Sequence, residues 1–124
     1  MKESDQYAMF RDCCNNRGVV PGRYENAIAN GIFDASVSHN NVTIWVEFKA
    51  DHMKMLSANQ MGWARRRFNA GCTLDMFVIF ASPDGFLLEP VSYVLKKGGH
   101  LEVLHSVFFP SMGKLVDHLI GKGE

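Results

Sequence analysis

The stretch Gly31-Ile32-Phe33-Asp34-Ala35-Ser36-Val37-Ser38-His39-Asn40-Asn41-Val42-Thr43-Ile44-Trp45-Val46-Glu47-Phe48-Lys49-Ala50 decides the fold. Two alternating runs flank His39-Asn40-Asn41, and asparagine tolerates the positive φ that a tight hairpin turn demands. A β-hairpin is expected. Side chains alternate along a strand, so Val42, Ile44, Val46 and Phe48 share one face of the second arm, while Thr43, Trp45, Glu47 and Lys49 share the other. In the first arm Phe33, Ala35 and Val37 form the apolar face, which leaves Asp34 with Ile32, Ser36 and Ser38 on the opposite one. A turn centred on Asn40-Asn41 then sets Asp34 opposite Glu47.

Opposed side chains have Cβ atoms about 5 Å apart, and two like charges there destabilise a sheet unless a cation sits between them. A hard divalent ion is the natural occupant. Carboxylate oxygens are preferred ligands of Mg²⁺, which keeps other positions for water and substrate phosphate. Lys49, two residues along the same face, is placed to activate the attacking water or to neutralise charge growing on a phosphate. The competing reading makes Glu47 and Lys49 the solvated face of an exposed strand.

Outward from the hairpin, residues from Lys2 to about Asn16 carry Tyr7, Met9, Phe10 and Cys14 at loose helical spacing, and a first helix is expected there. Asn15-Asn16-Arg17-Gly18 ends it and Pro21-Gly22 reads as a turn. Ser57 caps a helix to about Ala70, with Gly71 at the left-handed terminal position. Asp75 to Ala81 is an apolar run fit for a buried strand, closed by the turn Ser82-Pro83-Asp84-Gly85. Leu101 to Phe109, rich in Val and Phe, reads as a further strand. Ser111 caps a last amphipathic helix to about Ile120, with Leu115, Val116, Leu119 and Ile120 inward. The fold class is therefore α/β, a central mixed sheet flanked by helices.

The 124 residues form one expected domain, large enough to bury roughly two-thirds of the surface its unfolded chain exposes. Charged residues make up 21% and apolar ones 47%, the balance of a globular protein, and no apolar run approaches a membrane span. No membrane partner is expected. The start Met1-Lys2-Glu3-Ser4-Asp5-Gln6 lacks the basic flank and apolar stretch of a secretory signal, so a cytoplasmic location is expected. Cys13, Cys14 and Cys72 have no zinc-site spacing and read as free thiols. A formal net charge of zero gives no global pull towards nucleic acid, so any basic footprint must be local.

The string Gly31-Ile32-Phe33-Asp34, followed after twelve residues by Glu47-Phe48-Lys49, resembles the PD-(D/E)xK nuclease superfamily. Arg23-Tyr24-Glu25-Asn26 ahead of Gly31, with Gln60 and Trp63 after the lysine, narrows the resemblance to small phage and bacterial VRR-NUC nucleases, a group that is also similar to Holliday-junction resolvases. Phe33 stands where that family usually carries proline, a position that is not a ligand. The resemblance spans about Arg23 to Ala81 and implies a restriction-endonuclease-like fold. It implies a Mg²⁺-dependent endonuclease acting on DNA, branched DNA included, with Mn²⁺ able to substitute. Asp34 and Glu47 would hold the metal, the backbone carbonyl of Phe48 would complete its shell, and Lys49 would serve the nucleophilic water. Glu25 would add a second carboxylate from the preceding segment. It further implies a homodimer in a bacterial or phage-infected cell. The alternatives are a catalytically inactive nuclease fold used as a DNA- or protein-binding module, such as a phage inhibitor, and a subunit active only with a partner.

Gln60 lies on the helix face with Leu56, Ala64, Phe68 and Gly71 that should turn inward, where an amide needs a partner. It reads as the residue that orients Lys49 or a phosphate. Arg67 shares its side and is a phosphate-contact candidate, as are Arg23 and Lys54, with Lys96 and Lys97 behind them. Arg65 and Arg66 read as a solvated face. His39, His52, His100, His105 and His118 show no metal-ligand spacing, although His52 is near enough to Lys49 to touch a substrate. Trp63 reads as a helix–sheet contact.

Overall fold

Asn40 and Asn41 both take positive φ, 51° and 64°, and the computed structural model folds the chain back on itself at that point. It describes residues 1–24, 31–72 and 75–121. The resulting hairpin joins β2, Ala35–His39, to β3, Val42–Lys49, with Ala35 opposite Val46 and Val37 opposite Ile44. This is the expected register, and it leaves Asp34 one step beyond the last ladder pair, across from Glu47.

Around this hairpin a six-stranded sheet assembles in the order β1-β2-β3-β4-β5-β6. Its other strands are β1, Val20–Arg23; β4, Met76–Ser82; β5, Gly85–Pro90; and β6, Val107–Phe109. Among the described residues only β3 and β4 run parallel; the other neighbours are antiparallel. A parallel pair needs a crossover, which α2, Ala58–Asn69, supplies. Helices α1, Glu3–Asn16, and α4, Met112–Leu119, pack together, and α3, Val91–Lys96, follows β5.

Alternation along the strands sorts the core into two layers. Val46, Phe48, Ile79, Phe86 and Leu88 turn towards Phe10 and Cys14 of α1 and Leu115 and Val116 of α4. Val78, Phe80 and Leu87 turn the other way, towards Leu56, Ala64, Val91 and Val94. Phe10, Phe33, Phe48 and Phe80 are fully buried, each contributing about 2–3 kcal/mol of transfer free energy. The expected caps form: Ser57 accepts from the Gln60 N–H, Ser111 accepts from the Lys114 N–H, and Gly71 follows α2 with φ of 95°; beyond the expectation, the Gln60 side chain completes a capping box with Ser57. The three cysteines are free thiols.

Three expectations are corrected. Pro21-Gly22 is not a turn but part of β1, where Pro21 pairs with Val37; β1 is an edge strand, the place in a sheet that tolerates a residue without an N–H. Phe33 does not share the layer of Ala35 and Val37: the chain leaves strand geometry before β2, and Phe33 packs against Trp63 with ring centroids 5.0 Å apart. Leu101 to Phe109 is not one strand, because a 3₁₀ turn at Val103–His105 interrupts it and only Val107–Phe109 pairs with β5. The expected turn at Ser82-Pro83-Asp84-Gly85 is present and joins β4 to β5, and β5 and α3 are elements beyond those expected from the sequence. Among the described residues no helix is long and apolar enough to cross a membrane.

Candidate metal centre

The hairpin register brings Asp34 and Glu47 together, with two backbone N–H groups bonded to their carboxylates. The Asp34 N–H donates to Glu47 Oε1 at 3.0 Å, and the Phe48 N–H donates to Asp34 Oδ2 at 3.3 Å. Glu47 is 1% exposed, because it projects from the middle of the sheet into the layer that α2 covers. A third carboxylate arrives from another element: Glu3, in the first turn of α1, has a ligand oxygen that lies, with those of Asp34 and Glu47, inside a group no wider than 4.8 Å.

Lys49 faces this cluster from the same strand face as Glu47. Its Nζ is 3.5 Å from Glu47 Oε2 and donates to Gln60 Oε1 at 3.1 Å. Gln60 is the joint of the site: its Nε2 donates to Glu47 Oε2 at 2.7 Å, while its Oε1 also accepts from the Ser57 N–H at 2.9 Å. One amide on the first turn of α2 thus caps its own helix and fixes the lysine and the glutamate.

Electrostatics follows from burial. Glu47 is pushed up to about 8, first by loss of solvation and then by the neighbouring Asp34 charge, against the opposing pull of Lys49. Asp34 is raised mainly by burial, opposed by the Phe48 N–H, Lys49 and Arg23. Glu3 is raised for the same leading reason, opposed by Lys49, Lys54 and a hydrogen bond from the Ala50 backbone. Three carboxylates that each resist ionisation beside one another are a donor set that a hard cation stabilises.

Of the sequence-derived site residues, the structure brings Asp34, Glu47, Lys49 and Gln60 into one cluster, and Phe48 meets it through its N–H. Glu25 lies outside the described residues. Arg23 lies over the Tyr7 ring at 4.6 Å and acts on Asp34, and Lys54 is exposed on the loop after β3, acting on Glu3. Arg67 is turned to an intramolecular role: it pairs with Asp75 at 2.6 Å and lies over the rings of Trp45 and Trp63. Trp63 is a packing residue, as expected.

Two residues of the site were not read from the sequence. Glu3 belongs to a helix whose docking no local pattern reveals. Gln6, one turn on, is fully buried and donates from Nε2 to the Lys49 carbonyl at 2.8 Å, tying α1 to the end of β3. A signal for Gln6 existed: it stands beside Tyr7 on the face that carries Phe10, the same inward-amide pattern that singles out Gln60. No family model matches the chain, and no curated protein matches it, so the functional reading rests on these residues.

Proposed function

We propose that this chain is a metal-dependent endonuclease that hydrolyses DNA phosphodiester bonds on a restriction-endonuclease-like version of its α/β sheet. One observation carries the reading: a fully buried Glu47 is packed against Asp34 and Glu3, with ligand oxygens within 4.8 Å of one another and the Lys49 ammonium 3.5 Å away. A sheet does not gain stability by burying like charges together, so the arrangement is one that binding of a cation would repay.

The oxygen donors fit Mg²⁺, with Mn²⁺ able to replace it. Asp34 and Glu47 would hold the ion, Glu3 would offer a third oxygen, and the Phe48 carbonyl is the further ligand that the family resemblance implies. Bound there, the metal would supply Lewis-acid charge at a phosphate and a water acidified towards neutral pH. The protein's own part is positional and electrostatic. Lys49 presents a fixed positive charge to the oxygens on which negative charge grows, in a site dry enough for that charge to count. Gln60 holds Lys49 and Glu47 at their mutual distance, and Gln6 holds the backbone of Lys49 from the opposite layer. Arg23 and Lys54 border the cluster and are the phosphate-positioning groups, and a homodimer would place two such centres for cuts on opposed strands of branched DNA.

The test is cleavage of supercoiled plasmid and of a synthetic four-way junction by wild type, Asp34→Ala and Glu47→Ala, in Mg²⁺, in Mn²⁺ and in EDTA. Metal-dependent cutting by wild type and its loss in both variants is the expected result. Undiminished cutting by the variants would refute the assignment, and no cutting by folded wild type would favour a binding module instead.

A further inference from the structure

Beside the carboxylate cluster lies a cavity of about 750 Å³ that the chemistry above does not use. It opens at the end of the parallel pair, where β3 runs into Ala50 and β4 into Ala81. In open α/β sheets this is the end at which ligands bind. Met1, Met53, Leu87 and Val103 give it apolar walls, and Asp51 and His52 give it a polar edge. The cavity and the cluster share a wall: Ala50 lines the cavity, follows Lys49 directly, and hydrogen-bonds Glu3 through its backbone.

We propose that this cavity receives an unpaired nucleobase of the nucleotide adjoining the cut phosphate, so that the enzyme acts on DNA with a base free to leave the stack. This rests on the nuclease reading and adds the substrate's structure to it. The volume lies within the range of roughly 300–1,000 Å³ typical of small-ligand sites, and an apolar body with a few polar groups at one edge is what a flat heterocycle requires. Charge gives a second argument. With a formal net charge of zero the chain has no global attraction for duplex phosphates, which gives local contacts such as base burial a larger share of the affinity. A paired base is held inside the duplex and cannot occupy a cavity beside its own phosphate; a splayed or single-stranded base can.

Val103 offers the test, because it is 49% exposed and a larger side chain there fills the cavity without disturbing the core. Binding of a fluorescein-labelled single strand and of the blunt duplex of the same sequence is measured by anisotropy in Ca²⁺, for wild type, Val103→Trp and Val103→Ala. Methyl NMR of Met53 is followed in parallel on addition of thymidine 5′-monophosphate. Wild type and Val103→Ala are expected to favour the single strand by about tenfold or more, a factor that burying the apolar face of one base supplies. Val103→Trp should lose that preference while holding duplex as before, and the Met53 methyl should respond to the nucleotide in wild type and Val103→Ala but not in Val103→Trp. Equal binding of the two DNAs by wild type, or an unchanged preference in Val103→Trp, overturns the proposal. A cavity that takes the nucleotide in a protein that cuts no DNA in Mg²⁺ or Mn²⁺ would uphold the base site and sink the nuclease reading; cutting without strand preference would do the reverse.

Discussion

Asp34→Asn makes the carboxylate cluster answerable to a stability measurement without any substrate. Asparagine keeps an acceptor for the Phe48 N–H, now made to Asp34 Oδ2, and removes one of the negative charges facing Glu47. At separations up to 4.8 Å, a pair of unit charges repels by about 1 kcal/mol in water-like surroundings and about 3 kcal/mol at an effective dielectric of about 20. Asp34 also loses the attraction of Lys49 and Arg23, but its ionisation is disfavoured on balance, so the substitution should be a net gain where both acids are charged. A carboxyl raised in the folded state, as Glu47 is to about 8, contributes stability that is fully present below its unfolded value of 4.5 and is lost as pH rises through the folded one. In EDTA, wild type should therefore weaken between about pH 5 and pH 9, and Asp34→Asn should weaken less. At pH 9 the variant should melt about 5–10 °C higher, with the gap closing at pH 5. Excess Mg²⁺ should raise the Tm of wild type, by about 2.7 kcal/mol of stability at a hundred times the Kd, and leave the variant unmoved. Thermal melts across pH, with and without metal, decide it. A variant that in EDTA is no more stable than wild type at pH 9 would refute the electrostatic account of the cluster.

Two further substitutions probe how the site is held. Gly31 has φ of 97°, and a Cβ there would lie 2.2 Å from the Asn59 carbonyl oxygen, so Gly31→Ala should destabilise by about 2 kcal/mol or more in urea titration, while Gly71→Ala, with open space around it, should cost about 1 kcal/mol. Gln60→Ala removes an acceptor from the Ser57 N–H and from Lys49 Nζ and a donor to Glu47 Oε2, and should cost about 1–2 kcal/mol by the same measurement. It should also lower kcat in the cleavage assay more than it raises KM, since the residue positions Lys49 without needing to touch DNA; an unchanged kcat would show that Lys49 is held by other means.

Elements whose signals are local were legible before folding. The Asn40-Asn41 turn, the Ser57 and Ser111 caps and the inward face of α4 each depend on residues a few positions apart, and each stands where its pattern put it. Pro21 misled because its meaning depends on position in the sheet: the same residue breaks a central strand and is accepted at an edge. Glu89 of β5 likewise depends on its place in the sheet. A carboxylate in an apolar strand reads as an interruption, yet Glu89 is fully buried and its Oε1 accepts from the Glu102 N–H at 2.9 Å, a partner thirteen residues on.

The candidate centre divides along the same line. Asp34, Glu47 and Lys49 are joined by one hairpin, so the period of two and a single turn place them together, and the sequence by itself determined that half of the site. Gln60 was singled out by helical spacing, but its hydrogen bonds to Lys49 and Glu47 exist only because α2 crosses back over the sheet. Glu3, the Lys49 partner of Gln6 and the cavity at the strand ends were decided by tertiary structure alone. They depend on α1 docking against β3 and on the loops after β3 and β4 meeting, contacts between residues more than forty positions apart in the case of Gln6 and Lys49. Such contacts are fixed by which apolar faces bury one another, and that is a property of the whole packed chain rather than of any segment of it.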